Sequence, residues 1–387
     1  MKKTILILFV LLILVGCQTN QEPQYQRYQN TTVTSGFNTG ITLLAYTKNE
    51  KEFNEYFDLL KSEFSKYNAI FDIYNDYEGI NNAKTVNDKA GIEPVVVDQA
   101  LIDVLLLSKK EYEYSKKKFN PTAGALLKVW HNYREEGMLL NQNNEPGKVP
   151  TLDELNQAAT CIGWDFLEID DEKNTLYLLD SCASIDLGGI AKGYAVEQVA
   201  LTLEAKGLKY GIINGGGNVR VINSKPDDSA WVVGVAYPSL IRDKNVELFN
   251  ISESGSLVTS GDYQRMYQDE NNRRLSHLID METYLPGFHF RSVTIYTKDS
   301  TLGDLFSTAL YLMDYETGKQ FVTEHNKLHP EQRIDVFWLI DESNDTDINH
   351  PDFKTLKDFP ELKYAMTEGL QSIAQFNKKT LKKTTKS

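Results

Sequence analysis

Residues 185–194 read Ile-Asp-Leu-Gly-Gly-Ile-Ala-Lys-Gly-Tyr, so that a carboxylate stands just before a pair of glycines. A helix is predicted from about Lys192 to Lys206, directly after the glycine turn. The backbone N–H groups of such a turn, together with a helix N-terminus, can hold a phosphate, and its carbonyls can face a metal. A plain strand–turn–helix corner needs glycine at the same place. The stretch alone predicts strand, turn and helix, and it leaves the chemical role of the turn open.

The segments on either side of this block predict the rest of the fold. Helical spacing of apolar residues predicts helices at about 53–67, 100–114, 302–313 and 317–325, and Thr151 with Glu154 forms a capping box that opens a short one. Strands are predicted at 41–46, 210–213, 219–222, 231–236, 246–251 and 336–340, with a hairpin of 167–169 and 176–179. Strands come in adjacent groups separated by helices. This order predicts an α+β fold, a single mixed domain with largely antiparallel sheets and flanking helices.

Composition excludes several classes of protein. The chain has 387 residues, of which 41% are hydrophobic and 25% charged, values that exclude wholesale disorder and a polytopic membrane protein. The net charge of −13 and the pI near 5.1 argue against a nucleic-acid partner. No linker or internal repeat divides the body, so one domain is predicted over residues 34–365.

The N-terminus has the pattern of an export signal. Lys2 and Lys3 precede an uncharged apolar run over residues 5–15, which is too short to span a bilayer. The run ends in Leu14-Val15-Gly16-Cys17, which resembles a bacterial lipobox; an ordinary secretory signal is the alternative. We predict a signal peptide over residues 1–16, lipidation of Cys17, a flexible stalk over 17–33 and a Lys-rich tail over 366–387. The mature protein would then be extracytoplasmic and anchored to the cell membrane by lipid.

The two remaining cysteines would face an oxidising compartment. Cys161 and Cys182 can pair there, but two partly buried free thiols are at least as compatible with the sequence.

Two further glycine-containing segments are candidates for ligand binding. Residues 214–220, Asn-Gly-Gly-Gly-Asn-Val-Arg, fail the dinucleotide-binding pattern, because Arg220 occupies the last glycine position and a strand follows instead of a helix. A glycine run between strands suits close approach by a flat ligand or by another backbone. In Thr259-Ser260-Gly261-Asp262-Tyr263 the hydroxyls can bind phosphate oxygens, and a β-turn is the alternative.

Three polar residues in the C-terminal half are candidates for chemistry. His277 stands at the head of an apolar pair, where a structural histidine is the commoner case. Asp304 and Thr308 are i and i+4 on a predicted helix, so both oxygens project from one face. A carboxylate with a hydroxyl suits a hard cation such as Mg²⁺, whereas a helix N-terminal aspartate needs no metal.

In order along the chain, these motifs resemble the FAD:protein FMN transferase family, the ApbE-like flavin transferases. The resemblance runs from about residue 36 to about residue 340. It includes Gly36-Phe37-Asn38-Thr39, Phe71-Asp72-Ile73-Tyr74, Phe119-Asn120-Pro121-Thr122-Ala123-Gly124, the 185–194 block, the glycine run, Thr259–Tyr263, His277-Leu278-Ile279-Asp280 and the Asp304–Thr308 helix. The chain departs from the family at Asn120, where aspartate is usual, and at Met281-Glu282-Thr283-Tyr284, where the family tends to read Pro-Arg-Thr-Gly.

The resemblance implies a fold related to the T-fold and an enzyme that transfers the FMN half of FAD to a Thr or Ser hydroxyl of an extracytoplasmic protein, releasing AMP. It implies FAD as substrate and Mg²⁺ as cofactor. His277 is the candidate general base on the incoming hydroxyl, with Asp280 as the candidate that orients it. The implied metal ligands are Asp304, which is thereby also catalytic, Thr308 and the backbone carbonyl of Gly189. The implied FAD-binding positions are Phe37, Tyr74, Phe119, Asn120, Pro121, Asp186, Lys192 and Leu278.

Other functions are compatible with the same residues. In a Mg²⁺-dependent FAD pyrophosphatase, water would replace the acceptor hydroxyl at the same site. A non-catalytic FAD-binding lipoprotein should lack the metal pair, which this chain keeps. A solute-binding lipoprotein is disfavoured, since no two-lobed hinge pattern is visible.

Overall fold

The computed structural model describes residues 24–241, 244–343 and 348–375. The predicted signal peptide, Cys17, the first part of the predicted stalk and the end of the predicted tail lie outside the described residues. Within the described ranges, no helix has both the length and the apolar character that a membrane span requires.

The helices of the described part are α1 (Glu50–Phe71), α2 (Ala83–Asp88), α3 (Gln99–Tyr112), α4 (Gly124–Gln142), α5 (Leu152–Ala158), α6 (Ala191–Ala205), α7 (Ser300–Tyr311), α8 (Tyr315–Leu328) and α9 (Glu368–Ile373). The strands are β1 (Gln26–Thr32), β2 (Ile41–Thr47), β3 (Val95–Val96), β4 (Leu167–Asp170), β5 (Thr175–Leu178), β6 (Gly211–Gly215), β7 (Asn218–Ile222), β8 (Trp231–Ala236), β9 (Asn245–Ile251), β10 (Gly255–Gly261), β11 (Met266–Gln268), β12 (Arg274–Ser276), β13 (Ser292–Thr297), β14 (Asp335–Asp341), β15 (Lys354–Leu356) and β16 (Phe359–Met366).

The strands form one large sheet and three small ones. The large sheet has nine strands in the order β1-β2-β6-β7-β10-β13-β14-β16-β15, and every neighbouring pair is antiparallel. The small sheets are β3-β5-β4, β8-β9 and β11-β12. The predicted α+β fold with largely antiparallel pairing is confirmed.

Helices α1, α6 and α7 pack on one face of the large sheet. The apolar residues of α1 recur at helical spacing and lie buried, Phe53, Phe57, Leu60 and Phe64 among them. Helix α7 has no exposed side, because all of its twelve residues are buried between α6 and strands β10 and β13. A carboxylate on α7 is therefore placed in the interior of the molecule and must be satisfied there.

The opposite face of the sheet is covered by the β8–β9 hairpin and α9, around Trp231, Phe249 and Phe337. A third apolar cluster joins α4 and α5 to the β11–β12 hairpin through Trp130 and Tyr267. This cluster matters for function, because it fixes α4 beside the hairpin that precedes His277.

Two predicted boundaries are wrong. Strand β1 lies inside the predicted stalk and pairs with β2 from Gln26 to Thr32. It is an edge strand whose side chains are nearly all exposed, so backbone hydrogen bonds rather than apolar alternation hold it. At the other end, α9 lies inside the predicted tail, and its Leu370 is completely buried. The folded chain thus continues at least to Gln375.

The two cysteines left open by the sequence are joined in a disulfide, with their Cα atoms 5.8 Å apart. The bond connects the segment just before the short 3₁₀ helix Trp164–Phe166 to the turn that follows β5 and leads into the 185–194 block. Asp180 lies beside the two sulfurs, but a disulfide offers no thiolate to a metal.

Candidate functional site

The first turn of α6 meets the second turn of α7. The backbone N–H of Gly193 donates to Asp304 Oδ2 at 2.8 Å, and Asp304 is 5% exposed. A Cβ atom on Gly193 would lie 2.5 Å from the Cβ of Asp304 and would also strike the carbonyl of Ser300. Glycine at this position lets the two helices approach closely enough for the hydrogen bond to form.

The Gly188–Gly189 turn lies against α7 next to this contact. The N–H of Gly188 donates to Asp186 Oδ1 at 2.8 Å, which closes the turn. A Cβ on Gly189 would lie 3.2 Å from Thr308 Oγ1 and 2.8 Å from Phe119 Cε2. The structure therefore brings Gly189 next to Thr308, one helical turn from Asp304.

Ser260 adds a further hydroxyl to this site. Its Oγ lies 2.8 Å from Ser307 Oγ and 3.3 Å from Thr308 Oγ1. The next acidic residue of the same motif has another role, because Asp262 is buried in ion pairs with Arg274 and Arg291 at 2.9 and 3.0 Å. The Thr259–Tyr263 segment thus contributes one residue to the site and one to the scaffold.

The loop before α4 supports the Asp186 turn. The carbonyl of Pro121 accepts the N–H of Asp186 at 2.8 Å, while Phe119 lies against Gly189. The carboxamide oxygen of Asn120 accepts from the N–H and hydroxyl of Thr122, at 3.0 and 2.8 Å. Asn120 therefore stabilises its own turn through the oxygen, and it acts on the site by shaping this loop.

The segment around Phe37 reaches the glycine run through the sheet. The N–H of Phe37 donates to Asn68 Oδ1 at 2.8 Å, and Phe37 has a left-handed backbone with φ of 56°. Shortly after it, Ile41 of β2 pairs with Gly215 of β6. Two motifs that are far apart in sequence are thereby neighbours at one end of adjacent strands.

The two cations of this region differ in role. Lys192 Nζ lies 3.4 Å from Oδ1 of Asn218, at the end of the glycine run. Arg220, in contrast, is buried and pairs with Glu197 of α6 at 3.0 Å, and the same carboxylate accepts the N–H of Ser300 at 2.8 Å. Arg220 therefore connects α6, α7 and the sheet and is not available to a ligand.

His277 follows β12 directly opposite Arg265, whose carbonyl accepts the His277 N–H at 3.0 Å. Burial lowers the pKa of His277 to about 3, and the positive charges of Arg265, Arg134 and Lys192 act in the same direction. Its Nδ1 is buried and has no hydrogen-bond partner among the residues that the structure describes. The side chain is thus a neutral imidazole with an unused nitrogen.

The predicted orienting role of Asp280 is wrong. Its carboxylate pairs with Lys118 at 3.0 Å and accepts the N–H of Glu282 at 3.0 Å, so it stabilises a loop rather than the imidazole. Leu278, predicted to contact FAD, is 7% exposed and belongs to the main apolar core. Only a small part of its surface is open to a ligand.

Three cationic or imidazole side chains near Tyr74 were missed by the sequence reasoning. The His131 ring lies 5.2 Å from that of Tyr74, and Arg134 Nη2 lies 2.7 Å from His131 Nδ1. Burial raises the pKa of Asp186, against the lowering effect of the positive charges of His131, Arg134 and Arg265. The three missed residues are His131, Arg134 and Arg265. The i, i+3 spacing of His131 and Arg134 could have indicated the first two, but the helix that carries them was not predicted.

The sequence and the fold of this chain are similar to those of known proteins. The model of the ApbE family matches residues 37–330. The chain is 30% identical over 247 residues to the FAD:protein FMN transferase of Treponema pallidum, covering 60% of this chain and 64% of that protein, which is less than two thirds of its length. It is 26% identical to the FAD:protein FMN transferase of Vibrio cholerae, over 85% of this chain and 92% of that one. The crystal structure of the ApbE protein of Thermotoga maritima superposes with a TM-score of 0.65 at 26% identity, covering 81% of this chain and 94% of that chain.

Proposed function

This chain belongs to the ApbE family, and we propose that it is an FAD:protein FMN transferase, which moves the FMN half of FAD onto a Thr or Ser hydroxyl of an acceptor protein and releases AMP. The names of its relatives support flavin transfer. The observation that carries the proposal is the meeting of Gly189, Thr308 and Asp304 beside a group of cationic side chains. Oxygen ligands on one side and cations on the other suit a pyrophosphate.

The residues present fit a Mg²⁺ ion. Oδ2 of Asp304 accepts from Gly193, and Oδ1 would bind the cation, with Thr308 Oγ1 and the carbonyl of the neighbouring Gly189 as neutral ligands. All three donors are oxygens, the type that Mg²⁺ prefers, and one carboxylate with substrate phosphates is its usual protein environment. When bound, Mg²⁺ neutralises charge on the pyrophosphate oxygens. The Gly193 N–H keeps the carboxylate oriented.

His277 is the proposed general base. The acceptor oxygen forms a bond to the FMN phosphorus, the bond from that phosphorus to the bridging oxygen breaks, and AMP leaves with the bridging oxygen. His277 takes the proton of the hydroxyl through its free nitrogen. A pKa of about 3 makes a weak base, but the phosphates of FAD would offset the charges of Arg265, Arg134 and Lys192 that help to lower it.

We place the enzyme outside the cytoplasm, anchored through Cys17. The lipobox-like pattern supports this location. The disulfide between Cys161 and Cys182 is a second, independent support, because disulfides persist mainly in oxidising compartments.

The test is incubation with FAD, Mg²⁺ and candidate secreted proteins, followed by mass spectrometry for covalent FMN and quantification of AMP. Modified acceptor with equimolar AMP supports the transferase. Release of free FMN and AMP at the same rate without any acceptor would instead show the pyrophosphatase, with water as the attacking group. Binding of FAD with no AMP under either condition would leave only a flavin-binding protein.

A further inference from the structure

We propose that Arg134, positioned by His131, contacts the pyrophosphate of FAD. The inference rests on the proposed function and assigns two residues of α4 to the same site. Its basis is a buried guanidinium with an unused donor in a group of like charges.

One N–H donor of the Arg134 guanidinium lacks the partner that burial requires. Its side chain is 13% exposed, and its ion pair in the described part is with Glu135, at 3.4 Å, whose own side chain is 57% exposed. Nη2 also contacts His131 Nδ1 at 2.7 Å, while Nε is buried with no hydrogen-bond partner among the described residues. A buried arginine with an unsatisfied donor is costly unless an anion completes it.

Two further cations act in the neighbourhood of Arg134, together with the carboxylates of Glu135 and Asp186. Arg265 acts on Arg134, on His131 and on Asp186, and Lys192 joins both arginines in acting on the imidazole of His277. In a chain with a net charge of −13, such a group is a local exception. It creates a positive potential next to the Gly188–Gly189 turn, where the proposed substrate has its phosphates. The planar fork of arginine matches phosphate oxygens.

His131 fixes the direction of the guanidinium. A guanidinium can only donate, so the Nδ1 of His131 accepts from Nη2 of Arg134. Burial lowers the pKa of His131, and the charge of Arg134 acts in the same direction. The ring also lies against Tyr74, whose side chain is 57% exposed. The exposed part of Tyr74 would be available to a flat ring. His131 is thus a positioning residue between a stacking surface and an anion-binding group.

Calorimetric titration with FAD and with riboflavin, which has no phosphate, tests the proposal. We expect Arg134→Gln to bind FAD about 10- to 100-fold more weakly, the loss of a charged hydrogen bond, and to bind riboflavin as the wild type does. Arg134→Lys should recover part of the affinity. Lys128→Gln is the matched control, because Lys128 is an exposed cation of the same helix.

Two outcomes overturn the proposal: unchanged FAD affinity in Arg134→Gln, or an equal loss for riboflavin, which would show a general structural effect. His131→Phe keeps a ring against Tyr74 and removes the acceptor. It should weaken FAD binding in the wild type but add little to Arg134→Gln; additive losses would refute the positioning role. If wild type binds FAD and no FMN transfer is found, only the proposed function fails. If wild type binds no FAD, both fail.

Discussion

The carboxylate of Asp304 accepts the backbone N–H of Gly193 at 2.8 Å, so a residue in the second turn of α7 caps the first turn of α6. The alternative that Asp304 caps its own helix is excluded, because Asp299 does so through bonds to the N–H groups of Thr301 and Leu302. One oxygen of Asp304 is therefore structural, and the other is the proposed metal ligand. A single substitution at this position changes two properties, and the choice of replacement can separate them.

Asp304→Asn should abolish transfer with little change in stability. The amide oxygen still accepts from Gly193, while the negative charge beside the metal is lost, and one electrostatic contact of this kind is worth about 10²–10³ in rate. Asp304→Ala should lose transfer and also about 1–3 kcal/mol of stability, since it leaves the Gly193 N–H buried and unpaired.

Single-turnover FMN transfer in saturating Mg²⁺, beside thermal melts, measures both effects. Asp299→Asn is the control, because it disturbs only a cap and should cost about 1 kcal/mol or less with transfer intact. Near-normal transfer by Asp304→Asn would rule out the metal assignment. Thr308→Ala should be milder than either variant, since water can partly replace a neutral ligand.

Gly189→Ala should reduce transfer by about 10²-fold, because a misplacement of about 1 Å in a reacting site has that effect. The new Cβ would lie 2.8 Å from Phe119 Cε2 and 3.2 Å from Thr308 Oγ1 and must push one of them away. Gly40→Ala is the control, because its Cβ would meet Thr31 at an ordinary 3.6 Å. Steady-state transfer rates and Mg²⁺ titrations of both variants test this prediction. Equal transfer rates for Gly189→Ala and Gly40→Ala would show that Gly189 has no part in the site.

His277 should make the protein sensitive to mild acid. Its native pKa of about 3 lies below the ordinary 6.5. Between these two pH values the unfolded chain binds a proton at His277 and the native state does not. The stability that follows is fully present above pH 6.5 and is lost as the pH falls from there toward 3. Denaturant unfolding at pH 7 and pH 5 should show that the wild type loses about 1–2 kcal/mol more than His277→Asn. The prediction fails if both lose the same amount.

Removal of the disulfide should destabilise the protein. Cys161 and Cys182 are 21 residues apart, and closing a loop of that length contributes about 3 kcal/mol in the chain-entropy model. Thermal melts with and without dithiothreitol should show a lower Tm on reduction for the wild type and no effect for the Cys161→Ser, Cys182→Ser double variant. A Tm that is indifferent to reductant in the wild type would contradict the pairing.

Cys17→Ser should release the protein from the membrane fraction and leave its catalytic rate unchanged once purified. The anchor would be lipid alone, and several acyl chains are needed for firm attachment. Fractionation and a transfer assay test the two halves separately. Continued membrane attachment of the variant would show that another segment anchors the chain.

The elements that the sequence predicted are those with strong local signals. Helix α1 has apolar residues at helical spacing, and α5 has the Thr151–Glu154 capping box, which the structure contains. Helix α4 was missed, because no side chain caps its start at Ala123 and its buried residues include two glycines. Strand β1 was missed because an edge strand is held by its backbone and needs no apolar pattern.

The features of the site also fall into those that the sequence predicts and those that only the tertiary structure reveals. The sequence by itself determined the residue types and their order, including the glycine turn of 185–194 and the i, i+4 pair of Asp304 and Thr308, because local spacing decides which side chains share a helix face. Only the tertiary structure decided that Asp304 caps the N–H of Gly193, that Asp280 pairs with Lys118 and not with His277, and that the charge of Arg134 acts on His277. These contacts join residues up to about 160 positions apart. Their partners are selected by how the helices pack on the sheet, and no local pattern encodes that packing.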